Sequence, residues 1–287
     1  MVACSTQRAV NAPLIFHLES KDGAKSCLMA TSHAAVTLSP ESKELIDCIK
    51  SAKAYAFEVN IDLGPKNTLQ LFERGSGEIS FTDLNQSVKE KIQPALIAAQ
   101  YNKLDIEYIL KLHPAGIYRA LISSKKLGHE VQSFPNTDIL LARAVLEKKE
   151  KYIELEGFTE WSKSERQFSL DQFNELISIM CDLVLDPLKL AAYKAEINKF
   201  VENINVLPDI ETAWNLKFYF NTQMLGLPAY SMAYEVDNRN ALIGKNMLKA
   251  MEENGQVMMF VGAAHVGGPA SVLKVLEQGG VRVKRVQ

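Results

Sequence analysis

The order of strand-like and helix-like segments along the chain most constrains its fold. Apolar, strand-like runs occur near both ends of the 287 residues, whereas apolar residues in the middle recur at helical spacing. We therefore predict an α/β fold in which the N- and C-terminal segments form a mixed β-sheet flanked by helices, with a large central helical insertion. The prediction is one domain over residues 1–287, with sheet-forming segments at 13–62 and 238–287 and a mainly helical segment at 84–224.

The N-terminal segment contains two strand-like runs followed by a third that alternates. Pro13 to Glu19 and Cys27 to Ser32 flank the turn pair Asp22-Gly23, which predicts a β-hairpin. From Ala54 to Ile61 large and small residues alternate, as on the two faces of a strand. Glu58 belongs to the small-residue face, so a carboxylate lies within an otherwise apolar strand and needs a polar partner.

Helical periodicity dominates the middle of the chain, where prolines separate the segments. A helix start is also predicted earlier, at Ser39-Pro40-Glu41, where serine caps the helix and proline takes the first helical position. One short run, Lys151 to Leu155, is strand-like instead. The predicted helices of the middle span residues 85–99, 103–112, 115–125, 137–150, 168–184, 187–204 and 209–224.

The C-terminal segment alternates helix and strand. A helix is predicted from Asn238 to Asn254, and the apolar run Val257 to Val261 is predicted as a strand. His265 follows this strand after small residues. A helix near 269–278 and a final strand from Val281 to Val286 then complete a β-α-β unit.

The composition fits a globular protein and does not indicate a nucleic-acid or membrane partner. Hydrophobic residues make up 47% and charged residues 23% of the chain, and 32 basic against 34 acidic residues give a net charge of −2. This balance does not favour binding to nucleic acid or to an anionic bilayer. No apolar run approaches the roughly 20 residues of a membrane span. No sequence feature specifies an oligomeric state.

None of the four cysteines belongs to the C-x-x-C pair of a zinc or redox motif. Cys27 lies in a strand-like run and Cys48 in a helix-like run, so both are predicted to be buried free thiols. Cys4 follows Met1-Val2-Ala3, as in a processed lipoprotein signal. If Cys4 is such a cysteine, the protein would be exported and lipid-anchored in a bacterial envelope; a chance match is the alternative.

Two histidines and one glutamate occupy positions suited to ligand binding. His33 and His265 each follow a buried strand, and open α/β sheets bind ligands at the carboxyl ends of their strands. With Glu58 they could hold a metal ion, or act without metal if the glutamate orients a histidine that activates water. The structural alternative is a pair of hydrogen-bonded loop histidines and a glutamate paired with an arginine. The remaining histidines match no pattern: His17 in a strand, and His113 and His129 in loops.

Short motifs along nearly the whole chain match a known family in order and spacing. They are ATSH at 30–33, FEVN at 57–60, NRNALIGKNML at 238–248, VGAAHVGG at 261–268 and VLEQGGVRVKRV at 275–286. The chain resembles the TraB/PrgY/GumN family, which is related to the Tiki proteins and more distantly to erythromycin-esterase-like and ChaN-like proteins. The Thr137-Asp138 helix start and YIELEG at 152–157 resemble the middle of that family. The chain departs from the family pattern at Ala30, where glycine is usual.

The resemblance implies a site built from distant segments. Its metal-binding or catalytic core corresponds to His33, Glu58 and His265. Further catalytic candidates are Glu156, Arg239 and Asn240. Arg239 would bind a substrate carboxylate or stabilise an oxyanion, since a guanidinium offers paired donors. A salt bridge from Arg239 to Glu58 or Glu235 is the structural alternative.

The resemblance to Tiki-type metalloproteases implies a metal-dependent hydrolase that acts on peptide bonds, with Mn²⁺, Co²⁺ or Zn²⁺ as its cofactor. A non-enzymatic protein that sequesters a peptide or haem is an alternative, because PrgY-like relatives are associated with peptide pheromones and ChaN-like relatives with haem. A second alternative is a metal-free esterase resembling the erythromycin-esterase group, in which a histidine acts as the base. The expected partner is thus a peptide or another small molecule.

Overall fold

A six-stranded mixed sheet organises the fold. The structure is a computed structural model that describes residues 14–31, 43–58, 65–127, 137–204, 214–215 and 218–286. The strands are β1 (Leu14–Glu19), β2 (Lys25–Thr31), β3 (Ala54–Phe57), β4 (Tyr152–Glu154), β5 (Val257–Gly262) and β6 (Arg282–Arg285). Their order in the sheet is β4-β3-β5-β2-β1-β6. The predicted mixed sheet from the two ends of the chain is confirmed, and the strand-like run of the middle joins it at one edge as β4.

Four neighbouring strands are parallel and the others form an antiparallel border. β2, β5, β3 and β4 pair in parallel, whereas β1 pairs antiparallel with both β2 and β6. β6 therefore runs in the same direction as β5, although β2 and β1 lie between them. The carboxyl ends of the four parallel strands meet at one edge of the sheet, which is called the carboxyl edge below.

β1 and β2 form the predicted hairpin. Their pairing extends from Leu14 opposite Ala30 to Glu19 opposite Lys25. The connecting turn contains Gly23 with φ of +83°, a conformation that glycine adopts readily. The turn therefore lies where the Asp-Gly pair predicts it.

Helices cover the sheet and fill the middle of the chain. They are α1 (Lys43–Ser51), α2 (Pro65–Gln70), α3 (Gln86–Ala98), α4 (Lys103–Ile109), α5 (Pro114–Ile122), α6 (Thr137–Glu147), α7 (Phe158–Glu165), α8 (Leu170–Leu185), α9 (Pro187–Ile204), α10 (Asn238–Asn254) and α11 (Val272–Gln278). Two π-helical turns, Phe220–Met224 and Ala233–Asp237, precede α10. The predicted helix start at Ser39-Pro40-Glu41 lies outside the described residues, and α7 was not predicted.

The two faces of the sheet pack against different helices. On one face α10 and α11 bury Ile243 and Leu276 in a cluster with Ala56 of β3. On the other face α1 and α6 bury side chains, including Leu45, in a cluster with Phe57. The alternation of small and large residues along β3 thus separates the two layers as predicted. The small face admits α10, whose N-terminal turn carries candidate site residues.

The middle helices have a core of their own. α8 packs against α3 and α5, and the cluster around this contact includes Ile92, Leu121 and Phe173. Within the described ranges, no helix combines the length and apolar character needed to cross a bilayer.

Cys27 and Cys48 form a disulfide bond, so the prediction of two free thiols is wrong. Cys27 lies on β2 and Cys48 on the buried side of α1, in the same core cluster. Their Cα atoms are 6.0 Å apart, a separation typical of disulfides. The two cysteines are 21 residues apart in sequence and meet only because α1 packs on the sheet. Cys181 is free and buried, whereas Cys4 lies outside the described residues.

Candidate functional site

Five candidate residues converge at the carboxyl edge of the parallel strands. Glu58 directly follows β3, Glu156 lies two residues beyond β4, and His265 ends a 3₁₀ turn after β5. Arg239 and Asn240 lie in the first turn of α10, which packs on β3 and β5. All five residues are buried. This edge is where open α/β sheets bind their ligands.

Glu58 lies one residue past β3, so the prediction that it lies inside the strand is corrected. Its N–H donates to the Phe260 carbonyl at 3.1 Å, and its own carbonyl accepts from the Glu156 N–H at 3.0 Å. The backbone hydrogen bonds of the sheet therefore continue through Glu58 on both sides. The carboxylate is carried on backbone that both neighbouring strands hold in place.

Arg239 joins two buried carboxylates. Its Nη2 lies 2.5 Å from Glu58 Oε1 and 2.5 Å from Glu156 Oε2, and its Nε lies 2.9 Å from Glu156 Oε1. Its Nη1 donates to the backbone carbonyl of Glu235 at 2.8 Å. Burial lowers the pKa of Arg239, but the charges and hydrogen bonds of the two carboxylates outweigh burial and raise that pKa above its usual value. The guanidinium is therefore a permanent cation bonded within the protein.

Glu58 connects Arg239 to His265. Its Oε1, which accepts from Arg239, lies 3.3 Å from His265 Nε2. Its Oε2 accepts from the Gly262 N–H at 2.9 Å. Both carboxylate oxygens of Glu58 are therefore held by neighbouring donors, which fixes the side chain between Arg239 and His265.

Asn240 fixes the orientation of the His265 ring. Its Oδ1 lies 2.5 Å from His265 Nδ1, and Asn240 is fully buried. Because an amide oxygen only accepts, Nδ1 carries a hydrogen in this pair, and Nε2 faces Glu58. Nε2 can then bind a cation through its lone pair or carry a proton that pairs with the carboxylate. The Asn240 Nδ2 has no hydrogen-bond partner within the part of the chain that the structure describes.

Glu235 links the site to the helical core. Its backbone carbonyl accepts from Arg239, while its side chain accepts from Tyr118 Oη at 3.0 Å and from Asn221 Nδ2 at 3.1 Å. Glu235 and Asn221 both lie in π-helical turns, a rare conformation that often occurs at functional sites. Burial first, and the charge of Glu235 second, raise the pKa of Tyr118, which keeps its hydroxyl a donor. Sequence analysis identified Glu235 only as an alternative partner of Arg239.

Asp237 is a further acidic residue near His265, and sequence analysis missed it. Burial raises the pKa of Asp237, whereas the indole of Trp214 and the charge of His265 lower it. Asp237 ends the π-helical turn directly before α10. The only signal in the sequence is the polar run DNRN at 237–240, of which Arg239 and Asn240 alone were singled out.

Among the residues that the structure describes, two arginines and four buried glutamates lie around the site. Arg239 and the largely buried Arg119, which pairs with a glutamate of α7, supply the positive charges. Four buried glutamates supply the negative charges: Glu58, Glu156, Glu165 and Glu235.

The donor atoms of Glu58 and His265 fit a divalent cation. Their separation of 3.3 Å is that of neighbouring ligand atoms on an ion with bonds of about 2.0–2.2 Å. Carboxylate and imidazole ligands suit several divalent first-row metals. Asn240 supplies the outer hydrogen bond that commonly orients a metal-binding histidine. Arg239 adds one positive charge beside Oε1. It contacts two carboxylates, those of Glu58 and Glu156, whose combined negative charge is larger.

Of the other histidines that the structure describes, neither His17 nor His113 joins this site. His33, the third predicted ligand, lies outside the described residues, as does His129. His17 lies in β1, as predicted, and its side chain is exposed. His113 is the buried N-cap of α5, where Nδ1 accepts from the Ala115 N–H at 3.2 Å. Burial and the charge of Arg166 lower the pKa of His113 to about 4.

The match to a known family covers every described site residue. The model of the TraB/PrgY/gumN family matches residues 15–285 of the 287-residue chain. No curated protein and no solved structure gives a significant match. Because this match spans nearly the whole chain, the chain belongs to the TraB/PrgY/gumN family.

Proposed function

We propose that the protein is a hydrolase that cleaves peptide bonds with a divalent cation held by Glu58 and His265. The observation that carries the proposal is the approach of Glu58 Oε1 to His265 Nε2, 3.3 Å apart at the carboxyl edge of the sheet. The family resemblance adds His33 as a further ligand.

Neighbouring residues have positioning roles in this proposal. Asn240 holds the His265 ring so that Nε2 faces Glu58, and the Gly262 N–H holds the second oxygen of Glu58. Arg239 bonds to both Glu58 and Glu156 and holds the two carboxylates in position, a role that its contacts support better than substrate binding. A bound divalent cation would polarise the scissile carbonyl and lower the pKa of a bound water.

Elemental analysis of purified protein tests the proposal. The disulfide is kept oxidised, and the wild type is compared with Glu58→Gln and His265→Ala. We expect about one Mn²⁺, Co²⁺ or Zn²⁺ per chain in the wild type, little in both variants, and peptide cleavage that follows metal content. Glu253→Gln and His17→Ala are matched controls at exposed positions and should keep the metal. A wild type that takes up none of these ions contradicts the proposal.

Metal-free hydrolysis is a second candidate, and one contact favours it. The Glu58 Oε1 that faces His265 already accepts from Arg239 at 2.5 Å, as in a site where a carboxylate orients a histidine base. In that case cleavage would persist in a chelator and be lost in His265→Ala. Peptide binding without cleavage in either condition would instead support the sequestering protein.

A further inference from the structure

We propose that His17, Cys27 and Cys48 form a second metal site when the disulfide is reduced, and that this site binds a thiophilic ion such as Zn²⁺. It lies on β1, β2 and α1, whereas the candidate site described above follows the ends of β3 and β5. The inference does not depend on the proposed hydrolase function.

The hairpin and α1 bring three ligand atoms together. His17 and Cys27 are directly opposite partners in the β1–β2 pairing, so their side chains share one face of the sheet. Cys48 reaches this face from α1, with its Cα 6.0 Å from that of Cys27. A ring nitrogen of His17 and the two sulfur atoms lie within 4.8 Å of one another. Neighbouring ligands on a tetrahedral zinc ion, with Zn–S near 2.3 Å and Zn–N near 2.0 Å, are about 3.5–3.8 Å apart, so small side-chain rotations suffice.

The ligand types select the class of ion. Two thiolates and one imidazole favour Zn²⁺ or Cu⁺ over Mg²⁺, Ca²⁺ or Mn²⁺. His17 is exposed, which gives an ion access from solvent and leaves a coordination position toward water. Cys181 differs from this pair, because burial and the charge of Asp182 raise the pKa of its thiol to about 12. It therefore stays protonated and is not expected to bind the ion.

Disulfide and metal exclude one another, because only thiolates act as ligands. Two equivalents of a small thiol reduce the Cys27–Cys48 bond to two protein thiols and form one small-molecule disulfide. Metal binding then releases the two thiol protons. Oxidation by a disulfide reagent removes two electrons from the thiolates, reforms the bond and frees the ion. In either state β2 stays linked to α1, and the sequence between these two cysteines contains His33.

Cobalt binding to the reduced protein tests this site. The protein carries Cys4→Ser and Cys181→Ser, and Co²⁺ is the probe because thiolate ligands give it an intense charge-transfer absorption. We expect the band to develop as one Co²⁺ per chain binds the thiolates, and Zn²⁺ or a disulfide reagent to abolish it. Glu58→Gln should leave the band unchanged, because the carboxyl-edge site supplies no thiolate.

Two variants make the result decisive. Cys48→Ser should abolish the band. His17→Gln, at an exposed position, should weaken Co²⁺ binding by more than about 100-fold. Loss of a residue that only hydrogen-bonds to a metal ligand already lowers metal affinity by about 10–100-fold, and loss of the ligand itself should cost more. Absence of the band in folded, reduced protein would overturn the proposal. So would a band whose titration His17→Gln does not alter, because the imidazole would then not be a ligand.

Discussion

Removal of the Arg239 guanidinium should destabilise the protein strongly, because two buried carboxylates depend on it. Arg239→Met keeps much of the side-chain volume but leaves Glu58 and Glu156 without their cation. Removing one partner of a buried ion pair costs about 3–5 kcal/mol. Because two carboxylates are left without their partner here, we expect the free energy of unfolding to fall by about 5 kcal/mol, the upper end of this range. The total stability of a domain is only about 5–15 kcal/mol, so the effect is large.

Urea denaturation at neutral pH measures this loss. The matched surface variant is Arg282→Met, whose side chain is 80% exposed and lies 3.6 Å from Glu19. That pair should contribute less than about 1 kcal/mol. Thermal denaturation should show the same ranking, with a midpoint for Arg239→Met lower by about 10–20 °C at about 2–4 °C per kcal/mol.

A charge-neutral variant separates lost charge compensation from lost packing. Glu58→Gln and Glu156→Gln, combined with Arg239→Met, remove both carboxylates together with the guanidinium. If unpaired charge causes the loss, this triple variant should be more stable than Arg239→Met alone, since contacting residues do not contribute additively. The reasoning is refuted if Arg239→Met costs no more than Arg282→Met, or if the triple variant is the less stable of the two.

Three further predictions concern the cross-link, the His265 partner and the buried helix cap. Cys27→Ser with Cys48→Ser should lower the free energy of unfolding by about 3 kcal/mol in urea, as estimated for a loop of this length; no change would contradict a cross-link between them. Asn240→Ala should weaken metal binding by about 10–100-fold with the fold intact, measured by competition with a chelator, and unchanged affinity would remove its positioning role. His113 has its pKa lowered from 6.5 to about 4, so the unfolded state binds more protons between these values and stability should fall by up to about 3 kcal/mol as the pH drops through them. His113→Asn, which can also cap a helix, should flatten this dependence in urea titrations between pH 7 and 4; an equally steep dependence would exclude His113 as its source.

Elements with strong local patterns were predictable from the sequence. The helix Asn238–Asn254 begins and ends where predicted, because apolar residues keep helical spacing and Gly255, with φ of +72°, ends it. The alternation of small and large residues likewise indicated the strand β3, and the Asp22-Gly23 pair indicated the turn between β1 and β2. α7 escaped prediction because its sequence, FTEWSKSE at 158–165, is short and mainly polar.

Contacts between distant segments were not predictable from spacing. Cys27 and Cys48 meet only when α1 packs on the sheet, and Arg239 meets Glu156 only when β4 joins the edge beside β3. The family resemblance identified Glu58, Glu156, Arg239, Asn240 and His265 as candidates, and the structure brings these five together. Their catalytic and metal-binding roles stay predictions.

The charge of the site illustrates why whole-chain composition is a poor guide to function. The net charge of −2 is close to balance, yet it averages over the exposed surface and the interior. Inside, the carboxylates of Glu58 and Glu156 share the single guanidinium of Arg239, and Glu235 contributes its backbone carbonyl to the same group. Since Glu235 also binds Tyr118 of the helical core, the position of Arg239 depends on the middle helices as well as on the sheet. The helical segment therefore helps to set the electrostatics at the carboxyl edge, and a change in its packing at Tyr118 would reach Glu58 through only two intervening residues.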